Sequence, residues 1–399
     1  MGEGVMAASS LLLFALLALM ATLLLGGIWV ARRGLRRLRA EDLSRFDDLA
    51  EGPGWRRFGL GDPPSPELRR VEASLAELGA AMQGVHGRRR ILRLRAHLEQ
   101  VFAGRELGVS FTPVDCDGIP GEWVLAPGVD PARRTLYLHG GGFVIGSARS
   151  HRTLTSAFSR LTGGAVLAID YRLMPEHPRR ASIEDSRRAW GWMLAHGPGG
   201  GRAVSDGSPA QQASARQAFV AGDSAGGNLT LALIAWLRDG GGRQADAAVA
   251  ISPLTDSCLA SPSLRQLRDR DVMLGPMLGR LMRLSDPLLV GLTWAFARID
   301  PRGPTLSPLR DDLAGLPPTL LLASEAEMLL DDARRYTVRA RAAGSPVRLA
   351  TWAHPVHAWP IFHPELPEAR EALAEVGRFL QPLLQAGPSD PSGRPVDSP

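Results

Sequence analysis

The sequence predicts an α/β fold built on a mostly parallel sheet, and two observations lead to this prediction. From about residue 109 onward, short apolar runs rich in β-branched residues alternate with longer runs at helical spacing, which is typical of successive β-α-β units. Within this region an apolar run passes directly into a helical run through the sequence GDSAG at 222–226. The predicted strands are residues 135–138, 165–171, 218–222, 247–252, 319–324 and 347–352, and the predicted helices are residues 182–196, 225–237, 331–343 and 368–384.

Composition excludes some classes of protein and partner. The chain has 399 residues, of which 45% are hydrophobic and 22% charged, as is ordinary for a globular protein. Every basic residue is an arginine, but the formal net charge is only +5, so no nucleic-acid partner is expected. The two cysteines, Cys116 and Cys258, have no metal-binding spacing and cannot build a disulfide framework, although a single bond between them stays open.

The N-terminal region contains an uncharged apolar run over residues 11–30. Twenty helical residues match the thickness of a bilayer core, so we predict a single-pass transmembrane anchor at 9–31. An arginine cluster at 32–39 follows the run, and by the positive-inside rule it places the rest of the chain on the cytoplasmic side. A cleaved signal peptide is the alternative, although Glu3 and the absence of arginine ahead of the run argue against it.

The sequence GDSAG follows the pattern G-x-S-x-G and lies between a predicted strand and a predicted helix. In this position the pattern indicates a nucleophile elbow, a sharp turn that lifts a serine hydroxyl above the sheet. Ser224 is therefore the candidate nucleophile. The alternative is a glycine-rich turn with an incidental serine.

A second glycine-rich turn, HGGG at 139–142, directly follows the predicted strand at 135–138. Successive glycines let backbone N–H groups converge where a tetrahedral intermediate develops negative charge. We predict that Gly141, Gly142 and Ala225 donate these N–H groups, whereas a merely flexible turn is the alternative.

His357 is the candidate general base, because it follows a predicted strand near the end of the core. Its position also fits the order in which an acid and then a histidine follow a nucleophile elbow along the chain. His354 is its rival. The supporting carboxylate is expected after the strand at 319–324, where Glu327 is favoured and Asp331, a candidate helix cap, stays open. The other histidines are predicted to be surface or loop residues, namely His86, His97, His151, His196 and His363.

Taken together, the motifs resemble the hormone-sensitive-lipase-type esterases. The matching segments are HGGGF at 139–143, DYRLMPEH at 170–177, GDSAGGNL at 222–229, EMLLDD at 327–332 and HAW at 357–359. The resemblance implies an α/β-hydrolase fold with an eight-stranded sheet in a catalytic domain at 106–385. It also implies a helical cap built from residues 40–105 and an insertion at about 255–305. A glutamate stands where the family uses an aspartate, and the tail at 386–399 is expected to be disordered.

The resemblance further implies hydrolysis of small-molecule acyl esters without a metal or cofactor. Two alternatives stay open, namely hydrolysis of N-acyl or amide bonds by the same residues and a ligand-binding protein without catalysis. It also implies that six residues organise the loop beside the glycine-rich turn at 139–142, called the oxyanion turn below. These residues are Asp170, Tyr171, Arg172, Pro175, Glu176 and Asp185. A segment rich in Gly, Ser and Ala at 197–217 is expected to be a flexible insertion, and the oligomeric state cannot be read.

Overall fold

The computed structural model describes residues 38–47, 54–198 and 214–386. The predicted membrane helix, most of the predicted insertion at 197–217 and the tail from residue 387 lie outside these ranges. Within them, no helix combines the length and the apolar character that crossing a bilayer requires.

The described residues contain nine strands and ten α-helices. The strands are β1 (Trp55–Phe58), β2 (Ser110–Asp115), β3 (Pro120–Leu125), β4 (Asp130–Leu138), β5 (Gly164–Ile169), β6 (Gln217–Asp223), β7 (Ala247–Ile251), β8 (Thr319–Ser324) and β9 (Val347–Trp352). The helices are α1 (Pro66–Ala81), α2 (Gly87–Val101), α3 (Arg152–Thr162), α4 (Arg179–Ala195), α5 (Ala225–Gly240), α6 (Ser263–Gln266), α7 (Gly275–Leu278), α8 (Asp286–Ala297), α9 (Leu330–Ala342) and α10 (Pro367–Gln385).

All nine strands form one sheet in the order β1-β9-β8-β7-β6-β4-β5-β3-β2. Seven neighbouring strands of this order pair in parallel, namely β1, β9, β8, β7, β6, β4 and β5. Strand β3 pairs antiparallel with β5, and β2 pairs antiparallel with β3. The carboxyl ends of β4, β6, β8 and β9 therefore meet at one edge of the sheet, which is where parallel α/β sheets place their sites.

The central strands are covered on both faces, so they consist of continuous apolar runs rather than alternating ones. Every residue of β5, β6, β7 and β8 is buried. Helices α4, α5 and α9 pack on one face through residues such as Trp190, Leu229 and Tyr336. Helices α3 and α10 pack on the other face through residues such as Phe158 and Phe379. These two layers hold the sheet rigid beneath its carboxyl edge.

The prediction of eight strands is wrong, because β1 adds a ninth strand to the sheet. This strand lies in a region that the resemblance assigns to helices, and it pairs in parallel with β9. Its sequence WRRF places aromatic rings at both ends, and the Phe58 ring stacks on Trp352 with the ring centroids 4.4 Å apart. A run of four residues is too short to show the alternation of apolar and polar side chains by which a strand is recognised in a sequence.

Both regions that the resemblance assigns to a cap contain helices, namely α1 and α2 in the first and α6, α7 and α8 in the second. Helix α1 begins at Pro66 after a serine cap, since the Ser65 hydroxyl accepts a hydrogen bond from the Leu68 N–H. Helices α6, α7 and α8 occupy the second region and surround a small apolar cluster of their own. This cluster includes Met328 and Leu329 from the loop after β8, so the second region packs directly beside Glu327.

The stack between Phe58 and Trp352 should stabilise the edge of the sheet. We expect Phe58→Ala to lower the free energy of unfolding by about 1–2 kcal/mol, because an aromatic pair and part of a buried ring are lost. Leu60→Ala is the matched control, since Leu60 is an exposed apolar residue just beyond the same strand. Denaturant unfolding measures both variants. Equal losses in the two would contradict the role given to this stack.

Candidate active site

Ser224 lies at the sharp turn between β6 and α5 and has the left-handed backbone angle φ of 52°. Such an angle is strained for a residue with a side chain. A hydrogen bond of 2.7 Å from the Ser224 N–H to the Ile251 carbonyl holds the residue in this conformation. The flanking glycines permit this turn to approach β4 closely. A Cβ atom on Gly226 would lie 1.8 Å from the Leu138 carbonyl oxygen, and one on Gly222 would lie 2.5 Å from it. The serine side chain remains partly accessible.

His357 follows β9 and brings its imidazole against Ser224. The His357 Nε2 atom lies 2.9 Å from the Ser224 Oγ atom, and the Nδ1 atom lies 2.5 Å from the Glu327 Oε2 atom. With the proton assigned to Nδ1, the imidazole donates to the carboxylate and accepts from the serine hydroxyl. The rival His354 instead bonds the Asp62 carbonyl at 2.7 Å in an exposed position.

Glu327 is fully buried in the loop that follows β8. Its second carboxylate oxygen, Oε1, accepts a hydrogen bond of 2.8 Å from the Ser324 N–H, which fixes the direction of the side chain. Asp331 is not part of this arrangement, because its carboxylate accepts from the Ser263 N–H at 2.8 Å. Of the two candidate acids, the structure therefore brings only Glu327 to the imidazole.

The pKa of His357 reflects two opposing effects. Burial of the ring acts to lower the pKa, but the hydrogen bond and charge of Glu327, together with the charges of Asp271 and Asp223, outweigh it. The pKa is therefore raised above its ordinary value. The imidazole is thus well suited to hold a proton that it has taken from the serine.

Asp271, which the sequence analysis missed, holds the loop that carries Glu327. Its Oδ2 atom accepts a hydrogen bond from the Met328 N–H at 2.8 Å, and its Oδ1 atom accepts from the N–H groups of Met273 and Leu274. The residue belongs to the second cap region, far from Glu327 in the sequence, so no local pattern pointed to it. One carboxylate thus ties this region to the residue next to the catalytic acid candidate.

The three predicted oxyanion donors belong to two adjoining turns: Ala225 directly follows Ser224, and the turn at 139–142 is bonded to Asp223 through the Gly140 N–H. Gly141 has φ of 111°, and a Cβ atom there would lie 2.2 Å from the Ile145 carbonyl oxygen, so only glycine fits. Gly142 also has a positive φ, of 62°. Within the part of the chain that the structure describes, no protein acceptor takes the N–H groups of Gly141, Gly142 or Ala225.

A buried network fixes the oxyanion turn to the strand of the nucleophile. The Asp223 Oδ1 atom accepts hydrogen bonds from the Tyr137 hydroxyl at 2.7 Å and the Gly140 N–H at 3.1 Å. His151 lies on the other side, with its Nε2 atom 3.4 Å from the Asp223 Oδ2 atom. Burial acts to raise the pKa of Asp223, but His151 and Tyr137 outweigh it and lower the pKa. The prediction that His151 is a surface or loop residue is wrong, because it is buried beneath this turn.

The motif DYRLMPEH supports the same turn from outside. The Tyr171 hydroxyl donates to the His139 carbonyl at 2.7 Å, and Asp170 accepts from the Ala148 N–H at 2.7 Å. Arg172 forms a bidentate pair with the buried Asp185. These contacts agree with the organising role that the resemblance implied for the motif.

In the ranges 38–47, 54–198 and 214–386, no three side chains of His, Cys, Asp or Glu are grouped as metal ligands. Cys116 and Cys258 are both buried and free rather than bonded to each other.

Comparisons with known proteins agree with this geometry. Residues 135–361 match the family described as alpha/beta hydrolase fold. An acetyl-hydrolase from Streptomyces hygroscopicus is 38% identical over 266 residues, which cover 67% of this chain and 81% of that protein. An esterase from Acinetobacter venetianus is 30% identical over 276 residues, which cover 69% of this chain and 83% of that protein.

Solved structures give the same result. An esterase from the bacterial hormone-sensitive lipase family is 34% identical and superposes with a TM-score of 0.67, covering 81% of this chain and 99% of that chain. An esterase/lipase from an uncultured bacterium is 32% identical and superposes with a TM-score of 0.68, covering 80% of this chain and 99% of that chain. The family match spans more than half of the chain and includes every residue of the candidate site. The chain therefore belongs to the α/β-hydrolase family and, within it, to the hormone-sensitive-lipase-like esterases.

Proposed function

We propose that this serine ester hydrolase acts through an acyl-enzyme formed on Ser224, with His357 as general base and Glu327 as the supporting acid. The observation that carries the proposal is the continuous hydrogen-bonded path from the Ser224 hydroxyl through the imidazole to the Glu327 carboxylate. A serine hydroxyl is a weak nucleophile unless an adjacent base removes its proton, and this path supplies the base.

In the first step, the Ser224 Oγ atom bonds to the ester carbonyl carbon while the hydroxyl proton moves to the His357 Nε2 atom. The electron pair of the carbonyl double bond moves onto its oxygen. The N–H groups of Gly141, Gly142 and Ala225 stabilise this oxyanion, and each such donor typically contributes about 3 kcal/mol. Glu327 stabilises the imidazolium that forms.

In the second step, the carbon–oxygen bond to the alcohol breaks, and His357 Nε2 gives its proton to the departing oxygen. A water molecule then attacks the acyl-enzyme as His357 removes one of its protons. Collapse of the second intermediate releases the carboxylic acid, and the proton returns to Ser224. The cycle consumes one ester and one water, and it returns Ser224 and His357 to their starting forms.

We further propose that residues 40–105 and about 255–305 form the cap over a catalytic domain at 106–385. Contacts on both sides of the site support this assignment. Arg95 of α2 donates to the carbonyls of Val144 and Met174, which border the oxyanion turn. Asp271 of the second region bonds the loop of Glu327. Because the cap lines the entrance, its shape would set which short- to medium-chain or lipophilic esters are accepted.

We also propose that residues 9–31 anchor the chain in a membrane, with the catalytic domain on the cytoplasmic side. The uncharged run at 11–30 and the arginine cluster at 32–39 support this proposal. An enzyme held at a bilayer meets esters that have partitioned into the lipid.

Replacing the nucleophile tests the reaction directly. Ser224→Ala should lower kcat by about 10⁶-fold, because no other group can form the acyl-enzyme. Hydrolysis of an aryl acetate measures this loss, and covalent labelling by a fluorophosphonate should disappear with it. Wild-type turnover in this variant would contradict ester hydrolysis through Ser224. Failure of the unsubstituted enzyme to label would instead favour a ligand-binding protein without catalysis.

The pH dependence separates the two candidate acids. His357 must be neutral to act as base, so kcat/KM should rise with pH through a pKa above the ordinary value of about 6.5. In Glu327→Gln the largest effects that oppose burial are removed and only the charges of Asp271 and Asp223 remain, so this rise should move to lower pH while kcat falls by about 10⁴-fold. Asp331→Asn is the control and should keep the wild-type profile. A shifted profile in Asp331→Asn alone would contradict the assignment of Glu327.

A further inference from the structure

The region with α7 and α8 exposes an unusual amount of apolar surface. Phe296 is 59% exposed, and Leu292 and Trp294 are each 49% exposed. Six side chains make up this surface, which is called the apolar face below: Met277, Leu281, Leu288, Leu292, Trp294 and Phe296. Only Leu289, Val290 and Ala297 of α8 are buried, so most of this helix faces outward. Leu288, Leu292 and Phe296 follow one another at four-residue spacing and so share one side of α8, and an exposed apolar side of this kind marks an interaction site.

The apolar face lies where the chain emerges from the N-terminal apolar run. Leu38 packs against the middle of α8, since a Cβ atom on Gly291 would lie 3.3 Å from the Leu38 Cδ1 atom. The apolar run ends at Val30, eight residues earlier. Eight residues span at most about 28 Å even when fully extended. A bilayer that holds residues 11–30 would therefore lie within reach of α8.

The charges around the apolar face also fit a lipid surface. The exposed arginines Arg280, Arg283 and Arg298 flank it, and the cluster at 32–39 precedes Leu38. Tryptophan, phenylalanine and leucine beside arginine are typical of segments that lie in the bilayer interface and bind anionic headgroups. Residues 11–30 could in principle cover α8 in place of the lipid. That run is apolar on every side, however, so packing on α8 would leave the other sides of the run uncovered.

We propose that the apolar face is seated in the headgroup and acyl boundary of an anionic bilayer, so that the cap docks on the membrane. This inference rests on the proposed anchor at 9–31 and adds the apolar face as a second part of the chain in contact with the lipid. Leu289, on the inner side of α8, belongs to the same buried apolar cluster as Met328, which adjoins Glu327. The cap helix thus lies between the bilayer and the acid loop, and the substrates it favours are lipophilic esters dissolved in the bilayer.

The test places a fluorescent NBD group at Phe296→Cys in the full chain, reconstituted into vesicles of phosphatidylcholine and phosphatidylglycerol. Trp236→Cys is the matched control, since Trp236 is an exposed aromatic residue on α5 beside Arg187. The native cysteines are buried and give little background labelling. With brominated acyl chains in the vesicles, we expect about a twofold loss of fluorescence at position 296 and little loss at 236.

Each outcome decides between the proposals. Equal quenching at positions 296 and 236 overturns the docking of the cap. Extraction of the vesicles at alkaline pH tests the anchor separately, because an anchored protein resists extraction. Quenching at 296 in a protein that alkali extracts upholds docking and overturns the anchor. A blue-shifted but unquenched probe, with cross-linking between copies, shows that a second copy covers the face and overturns docking. Absence of vesicle binding overturns both proposals.

Docking also predicts a split between two substrates. The variant Leu288→Ser/Leu292→Ser/Phe296→Ser should hydrolyse a soluble aryl acetate at the wild-type rate, because these side chains lie outside the reacting groups. Its hydrolysis of a long-chain ester carried in anionic vesicles should fall by about tenfold, given the apolar surface removed from the interface. Trp236→Ser should leave both rates unchanged. Equal rates for the triple variant and the wild type on the vesicle ester would contradict the docking.

Discussion

The hydrogen bond between the Glu327 carboxylate and the His357 imidazole is the interaction on which the site depends. Both groups are buried, and an unpaired carboxylate or imidazolium there would be costly. The pair resolves this conflict, because the carboxylate raises the pKa that burial would lower. The same bond fixes the ring so that its Nε2 atom meets the Ser224 hydroxyl at 2.9 Å. Loss of either partner would leave the other buried and misdirected.

The sheet makes this meeting geometrically possible. Ser224, Glu327 and His357 follow the parallel strands β6, β8 and β9, so their loops open at one edge although the residues are far apart in the chain. Rigidity comes from the helices on both faces, and precision comes from buried carboxylates. Asp223 ties the turn at 139–142 to the strand that precedes Ser224, and Asp271 ties the region at about 255–305 to the loop of Glu327. The site is thus held by contacts that reach well beyond the reacting groups.

Much of this could be predicted from the sequence, because local patterns carry it. The six predicted strands and four predicted helices recur in the structure, since apolar runs and caps are local signals. The strands at 319–324 and 347–352 have the predicted bounds, and the other elements have shifted ends. The elbow at Ser224 and the glycine turn at 139–142 were recognisable because strained turns demand glycine. The short strand β1 was not recognisable, since its pairing with β9 is a long-range event. Asp271 and His151 were missed for the same reason, as their partners are distant in sequence.

The most direct test of the account is a crystal structure of the enzyme after reaction with a phosphonate inhibitor, which mimics the tetrahedral intermediate. The account predicts a bond from phosphorus to the Ser224 Oγ atom, with His357 still paired to Glu327. The phosphoryl oxygen should lie about 2.7–3.1 Å from the N–H groups of Gly141, Gly142 and Ala225. An adduct on another residue, or a phosphoryl oxygen turned away from these three groups, would contradict it.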